Sequence, residues 1–398
     1  MVAPYLPQEI VEQIIDMLVG DPNSLLSCSL VSTSWVHRSR HHLLAHIKLN
    51  SLSDLQLWFT VGLEPSSHHV RSLDLAQDEF RWIAPETLAT IPNDFTPFYN
   101  VRSLSLTGMD LTLFDERSLT RFFGNFSERL TSLSVNGLTA HPDTLLFFIS
   151  MFPNLDNLKL DYLTMGRTKS TAPFRYPAAT PKFRGKLTLS NLKANGTSMI
   201  SPFADLPLAF DDVSLENCRF ETPKPLNDLF VACQETAKKV RVSRIFFSEF
   251  RPCRVSLGSN LSDTFPDEIS QTPLIDLSPC KGLEEIELSL IQLRQPSHWL
   301  EPILQTVTST RVKKITFDTD FPSAAADIDS AIDVHSWSRL DVMFLKMAHM
   351  LDPADGKLEL VFNAMAPNAL REFEPVDPGR FLEWCRTKAV VGFEPKRY

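Results

Sequence analysis

The sequence has little glycine, no excess of basic residues and no long apolar run. Only 13 of its 398 residues are glycine, which disfavours phosphate-cradling loops and tight β-hairpin turns. The net charge of −9 argues against a protein that binds nucleic acid or anionic membranes through a basic surface. No apolar run reaches the roughly 18 residues of a membrane-spanning helix, so we expect no membrane segment.

Sequence signals for covalent chemistry are also missing. The six cysteines show neither C-x-x-C nor a compact disulfide spacing, and the N-terminus lacks the pattern of a signal peptide. We therefore expect reduced thiols in a cytoplasmic and/or nuclear protein. The sequence has no P-loop, no G-x-S-x-G and no H-E-x-x-H motif. We expect no catalytic residues, no enzyme activity and no cofactor.

Histidines occur in two short groups. One lies between His37 and His46 in a helical region, and the other is the pair His68-His69 before a strand. In the first group only His42 and His46 share a helix face, with no carboxylate or cysteine beside them, and His68-His69 have no third ligand, so both groups are poor metal sites. The sequence therefore predicts no metal site.

The segment from Leu6 to Arg40 predicts three short helices with more apolar surface than they can bury. Pro7 suits the first turn of a helix, and Gly20-Asp21-Pro22 ends that helix. A module of about 40 residues cannot enclose so many apolar side chains by itself. Part of this surface must cover the next domain, and part must cover another chain. We expect one stripe to face outward, which consists of Ile10, Ile14 and Met17.

The same segment resembles an F-box. The match consists of Leu6-Pro7-x-Glu9-Ile10, Ile14, Leu18, a Pro-containing turn, Leu25-Leu26, and Val31-Ser32-Thr33-Ser34-Trp35. Thr33 stands where the family usually has a basic residue. The resemblance implies that eight residues help to dock a Skp-type adaptor: Leu6, Pro7, Ile10, Ile14, Leu18, Leu26, Val31 and Trp35. The alternative is that these helices only cap the following domain.

A motif of the form apolar-x-x-apolar-x-apolar recurs along the rest of the chain. Its copies begin at Val70, Val101, Leu130, Leu155, Phe210, Ala237, Leu283 and Val312, with incomplete copies at Lys186 and Lys357. The first spacings are 31, 29 and 25 residues, and such periods are typical of a solenoid. Amphipathic helices are predicted between strands, at Asp115 to Arg129, Pro142 to Met151 and Trp299 to Thr308.

Alternating strands and helices of this kind resemble a leucine-rich-repeat domain. The Asn or Cys usual after the strand is present at Asn136 and Asn217-Cys218 and missing elsewhere. The resemblance implies an α/β solenoid with parallel strands on its concave side and helices on its convex side. We expect an F-box over residues 1–48 and the solenoid over residues 49–398, with loops inserted near 164–185 and 248–280. An irregular α/β protein is the alternative.

Polar residues between the apolar strand positions predict a binding face for a substrate protein. The expected substrate-binding residues are Ser105, Ser134, Lys159, Glu216, Lys239 and Arg241. Lys239, Arg241 and Arg244 can also pair with a phosphate group.

The two resemblances together imply the substrate-recognition subunit of an SCF-type (Skp–cullin–F-box) E3 ubiquitin ligase. The Skp-type adaptor would link the chain to a cullin–RING ligase, and the repeats would hold the substrate. The alternative is an F-box scaffold, or a repeat-based interaction module, with no role in degradation.

Overall fold

A computed structural model describes most of the chain. The described residues are 6–60, 68–76, 98–166, 183–193, 200–201, 203, 208–247, 275–290, 297–320, 334–350, 358–365 and 391–396. The chain divides into two compact units, Met1–Lys182 and Phe183–Tyr398. The expected domain boundary at residue 48 falls inside the first unit and stays a prediction. Within the described ranges, the helices are too short or too polar to cross a membrane.

Three short helices open the first unit. They are α1 (Gln8–Asp16), α2 (Pro22–Val31) and α3 (Thr33–Leu43). Helix α2 begins where the Asp21 side chain accepts hydrogen bonds from the backbone N–H groups of Asn23 and Ser24. Only Val11, Ile15 and Leu25 form the buried core of this segment. So small a core leaves many apolar side chains on the outside, as the sequence predicts.

Five parallel strands with intervening helices make up the rest of the first unit. The strands are β1 (His46–Leu49), β2 (Ser72–Ala76), β3 (Ser103–Thr107), β4 (Ser132–Asn136) and β6 (Asn157–Asp161). Each pairs with the next in parallel without a register shift. The helices are α4 (Leu52–Thr60), α5 (Glu116–Phe123) and α6 (Pro142–Ser150). Two short strands, β5 (Thr139–Ala140) and β7 (Thr164–Met165), pair with each other outside the main ladder.

The second unit repeats the same scheme. Its main strands are β8 (Phe183–Ser190), β9 (Leu208–Glu216), β11 (Lys239–Ser243), β13 (Glu285–Leu290), β14 (Lys314–Asp320), β15 (Leu358–Met365) and β16 (Val391–Lys396). All of these pair in parallel with their neighbours in that order. The helices are α7 (Lys224–Ala232), α8 (Ser297–Gln305) and α9 (Val334–Met350). A short pair, β10 (Arg219–Phe220) with β12 (Phe246–Phe247), lies beside the ladder.

The predicted repeat is therefore present as a solenoid-like α/β fold. Every copy of the sequence motif forms a strand, including the two incomplete copies, which are β8 and β15. The three predicted helices correspond to α5, α6 and α8. Strands β7 and β8 occupy the two ends of the first expected insertion. The middle of that insertion, and residues 248–274 of the second, lie outside the described residues.

A left-handed residue follows six of the strands directly. These residues have φ between 52° and 74° and are Gly108, Gly137, Tyr162, Asn191, Asn217 and Arg244. The backbone N–H of Gly108 donates to the carbonyl of Asn136 at 2.8 Å, and that of Asn217 donates to the carbonyl of Ser243 at 2.8 Å. The left-handed residue therefore extends the pairing between neighbouring strands by one more backbone hydrogen bond.

The residue after this turn is buried in successive repeats. Met109, Leu138, Leu163, Leu192 and Cys218 are each at most 1% exposed. Asn136 and Asn217, which the sequence groups together, therefore hold different positions. Asn136 is the exposed last residue of β4, whereas Asn217 is the left-handed residue itself. What the repeats share is a left-handed backbone residue followed by a buried residue. The type of residue at the left-handed position varies from repeat to repeat.

Tyr162 holds a conformation that costs an L-residue about 1–2 kcal/mol. Its side chain is half-exposed, so its replacement removes few contacts. We expect Tyr162→Gly to raise the free energy of unfolding by about 1 kcal/mol after the entropy of the unfolded chain is included. Tyr162→Ala keeps the strain and should give no gain. Urea unfolding of both variants checks this, and equal destabilisation by both would contradict it.

Candidate functional site

Exposed apolar side chains are concentrated on the N-terminal helices. Among the described residues, 16 large apolar side chains are exposed, and eight of them lie between residues 6 and 31. We call these eight the N-terminal apolar surface: Leu6, Ile10, Ile14, Met17, Val19, Leu26, Leu30 and Val31. Scattered exposed apolar residues are ordinary on a protein surface, whereas a concentration of them is typical of interaction sites.

The outward stripe of α1 lies where the sequence predicts it. Ile10, Ile14 and Met17 are 41%, 42% and 85% exposed, at spacings of four and three residues. Val11 follows Ile10 and Ile15 follows Ile14, and both of these next residues are buried in the helical core. Helix α1 thus has two apolar faces, of which one packs inside the segment and the other meets solvent. An exposed second apolar face is a feature of helices that bind a partner.

The eight residues expected to contact an adaptor separate into two groups. Leu6, Pro7, Ile10, Ile14, Leu26 and Val31 are exposed. Leu18 and Trp35 are partly buried and pack against the helical core. These two side chains therefore hold the helices together, while the other six are accessible to another chain.

Asp16 joins the first helix to the third. Its carboxylate accepts hydrogen bonds from Arg38 Nε and Nη2, each at 2.6 Å, and lies 2.7 Å from His42 Nε2. The hydrogen bond from Arg38, followed by that from His42, holds the pKa of Asp16 well below its ordinary value. This clamp was not predicted from the sequence. Its signal is the four-residue spacing of Arg38 and His42, which places both on one face of α3.

The expected substrate-binding residues of the first unit fall on one row of the sheet. Ser105, Ser134 and Lys159 occupy equivalent positions on β3, β4 and β6. Their side chains alternate with buried apolar residues along each strand. The row therefore presents short hydroxyl groups followed by a lysine, a surface suited to hydrogen bonding.

The expected substrate-binding residues of the second unit already have polar partners: Lys239 and Arg241 form ion pairs, and Glu216 accepts a hydrogen bond. Lys239 Nζ lies 2.8 Å from Glu285 Oε2, and Arg241 Nη2 lies 2.8 Å from Glu287 Oε2. Burial acts to lower the pKa of Arg241, but the hydrogen bond and charge of Glu287 outweigh it and raise that pKa. Glu216 accepts a hydrogen bond from Ser214. Because glutamates already neutralise both cations, the structure gives no support to phosphate binding by Lys239 and Arg241.

The Lys239–Glu285 pair belongs to a longer ladder of alternating charge. The row crosses six neighbouring strands as Lys186, Asp212, Lys239, Glu285, Lys314 and Glu359. The shortest contacts in it are Lys239–Glu285 at 2.8 Å and Lys314–Glu359 at 3.2 Å. Opposite charges on neighbouring strands favour this register over shifted ones.

The structure also brings together histidines that are distant in the sequence. His37 of α3 lies beside His68 and His69, and one ring nitrogen from each falls within 4.8 Å of the others. His68-His69 have no third histidine near them in the sequence, and the fold places His37 beside them.

Comparison with known proteins adds little to these observations. No family model matches the sequence, and no curated protein matches it. Among solved structures, a chain in the crystal structure of the Rad7 and Elc1 complex in yeast is 13% identical. That match covers 94% of this chain and 90% of the other, with a TM-score of 0.38. Similarity at this level carries no argument about fold or function.

The Asp16 clamp predicts a specific response to substitution and pH. Asp16→Asn should speed amide hydrogen exchange in α1 and α3, because the neutral amide loses the charge-assisted bonds to Arg38. In the wild type, this stabilisation is present above the ordinary carboxyl pKa of 3.8 and is lost as the pH falls through the lowered value. Asp143→Asn, at an exposed carboxylate in α6, is the control. Equal exchange in all three proteins would contradict the clamp.

The two ion pairs between β11 and β13 predict that burial decides the effect of losing a carboxylate. Glu287 is 19% exposed, whereas Glu285 is 44% exposed. Glu287→Gln should lower the free energy of unfolding by about 1–3 kcal/mol, because it leaves the half-buried Arg241 without its counter-charge. Glu285→Gln should cost less than about 1 kcal/mol. Urea unfolding of both variants tests the difference, and equal losses would show that burial is not the cause.

Proposed function

We propose that this protein is the substrate-recognition subunit of an SCF-type E3 ubiquitin ligase. In this proposal the N-terminal helices are an F-box that binds a Skp-type adaptor, and the adaptor joins the chain to a cullin–RING ligase. The remaining residues form a leucine-rich-repeat solenoid that holds a substrate protein. The exposed stripe of Ile10, Ile14 and Met17 is the observation that carries the proposal.

The composition of the N-terminal apolar surface supports a protein partner. Its members are aliphatic side chains and Met17, and an amphipathic helix places such side chains in an apolar groove of its partner protein. They lie on helices whose own core is complete, since Val11, Ile15 and Leu25 are already buried inside the segment. The exposed stripe is thus surplus to the folding of the helices, and burial by another chain explains it best.

The Asp16 clamp supports the same role by fixing the geometry of the surface. Arg38 and His42 hold the end of α1 against α3, so the stripe on α1 is presented in one orientation. A preorganised surface loses less conformational entropy on binding than a flexible one. The helices are therefore ready to dock without rearrangement.

The strands supply surfaces for a second protein. In the first unit the exposed row is mainly hydroxylic, and in the second it is an alternating charge ladder. Such surfaces recognise a partner by complementary polar groups and contribute more to specificity than to raw affinity. The chain would act by proximity, raising the effective concentration of substrate lysines near the ubiquitin-conjugating enzyme, and would make or break no bonds itself. The proposed place of action is the cytoplasm and/or the nucleus.

Binding of a purified Skp-type adaptor tests the proposal directly. We expect the wild-type chain to bind the adaptor and the double variant Ile14→Asp/Met17→Asp to lose at least about 100-fold in affinity, because two desolvated charges replace apolar anchors. Leu57→Asp is the matched control, since Leu57 is a 58% exposed apolar residue on helix α4 of the same unit. Calorimetry measures the affinities, and circular dichroism confirms that each variant is folded.

Two outcomes would contradict the adaptor role. One is failure of the folded wild type to bind, and the other is an equal loss of affinity in Leu57→Asp and in the double variant. The degradative role needs a separate measurement. Partners captured by the full chain in cells should have longer half-lives when the double variant replaces the wild type. Unchanged half-lives would leave the alternative, an adaptor-bound scaffold with no role in degradation.

A further inference from the structure

Five histidines gather where α3 meets the start of β2 in the first unit. The ring centroids of His37 and His69 are 5.1 Å apart, and those of His41 and His69 are 5.0 Å apart. His68 and His69 have centroids 3.9 Å apart, and His42 lies 5.2 Å from His41. Five of the ten histidines in the chain therefore occupy one small region.

Three of these rings have the arrangement of a metal site. His37, His68 and His69 each place one ring nitrogen within 4.8 Å of the other two. Tetrahedral zinc binds imidazole nitrogens at about 2.0–2.1 Å, so the rings must move closer by about an ångström on binding. His37 is exposed and His68 is half-buried, which gives both side chains the freedom to rotate. His69 is only 6% exposed and is the fixed member of the group.

The hydrogen bonding of His69 keeps the cluster in the form that binds metals. His41 Nδ1 lies 3.1 Å from His69 Nδ1, so one of these nitrogens carries a proton and the other offers a lone pair. Two doubly protonated rings could not make this contact. His41 thereby fixes the orientation of the His69 ring, as outer-shell partners of metal ligands do.

The protonation equilibria agree with this geometry. Burial, followed by the charges of His68, His41, His37 and Arg71, lowers the pKa of His69 to about 4. Burial and the neighbouring Arg71 also lower the pKa of His41.

Other charged groups near the cluster do not supply a competing explanation. Arg38 and His42 are paired with Asp16, so that carboxylate already has its partners. The positive charge of Arg71 disfavours a second positive charge nearby, and it contributes to the lowered pKa values of His41 and His69. A borderline-soft ion with a strong preference for imidazole is the cation that such an all-histidine site favours.

We propose that His37, His68 and His69 bind a zinc ion, with His41 as the residue that positions His69. The ion would connect α3 to the residues that enter β2, and so tie the N-terminal helices to the first parallel strands. The site is independent of the proposed adaptor binding, because none of its residues belongs to the N-terminal apolar surface. With three protein ligands, the fourth position of the ion would be filled by water.

Zinc titration of the full chain tests the site. After treatment with a chelator, the wild-type protein should bind one equivalent of zinc sulfate at pH 7.5 in calorimetry, and cobalt(II) in its place should give the absorption bands of a tetrahedral complex. The double variant His37→Ala/His68→Ala should lose at least about 100-fold in affinity. His46→Ala is the control, because His46 is exposed on β1 and lies outside the cluster.

A thermal measurement separates lost binding from lost folding. Zinc should raise the melting temperature of the wild type and of His46→Ala, since a ligand that binds only the folded state stabilises it. Zinc should leave the melting temperature of the double variant unchanged. Circular dichroism should show that this variant is folded. His41→Gln should weaken binding by about 10–100-fold without abolishing it. Absence of zinc binding by the folded wild type, or undiminished binding by the double variant, would overturn the proposal.

Discussion

Within each unit, the parallel pairing of neighbouring strands is the constraint on which the other features depend; the first unit keeps one register throughout, and the second departs from it once, at a bulge between Gly185 and Lys186. This pairing aligns Leu104 with Leu133 and Ser105 with Ser134, so that one side of the sheet is apolar and the other polar. A shift of one residue would exchange the two sides. The rows of hydroxyl and charged groups exist only because this register is kept from strand to strand.

The left-handed residue that follows six of the described strands helps to maintain the register by backbone geometry. Gly137 and Asn191 share the left-handed conformation, although their side chains differ. Each donates its N–H to the next strand, to Asp161 and Glu216 respectively. The chain then returns a buried residue to the interior, Leu138 or Leu192. A conformational requirement of this kind tolerates many side chains, and this explains why no single residue type marks the repeat in the sequence.

Local pattern allowed the strands to be predicted but not the contacts between distant segments. Alternation of buried and exposed residues identifies β4 and β11 from short stretches of sequence, because that period is a property of the strand alone. The outward position of Ile14 followed from the same kind of argument on a helix. The Asp16–Arg38 clamp and the approach of His37 to His69 depend on how α1, α3 and β2 pack together. Sequence separations of 22 residues and more leave no local signal for such pairs.

The alternating charge ladder also restricts how the second unit can change in length. If β11 alone were deleted, Asp212 would lie beside Glu285, and like charges on neighbouring strands repel. If β11 and β13 were deleted together, Asp212 would lie beside Lys314, and the alternation would continue. Repeats in this part of the chain can therefore be gained or lost in pairs at little electrostatic cost, whereas an odd change disrupts the row. In electrostatic terms, the pair of repeats is the unit by which the second unit can change in length.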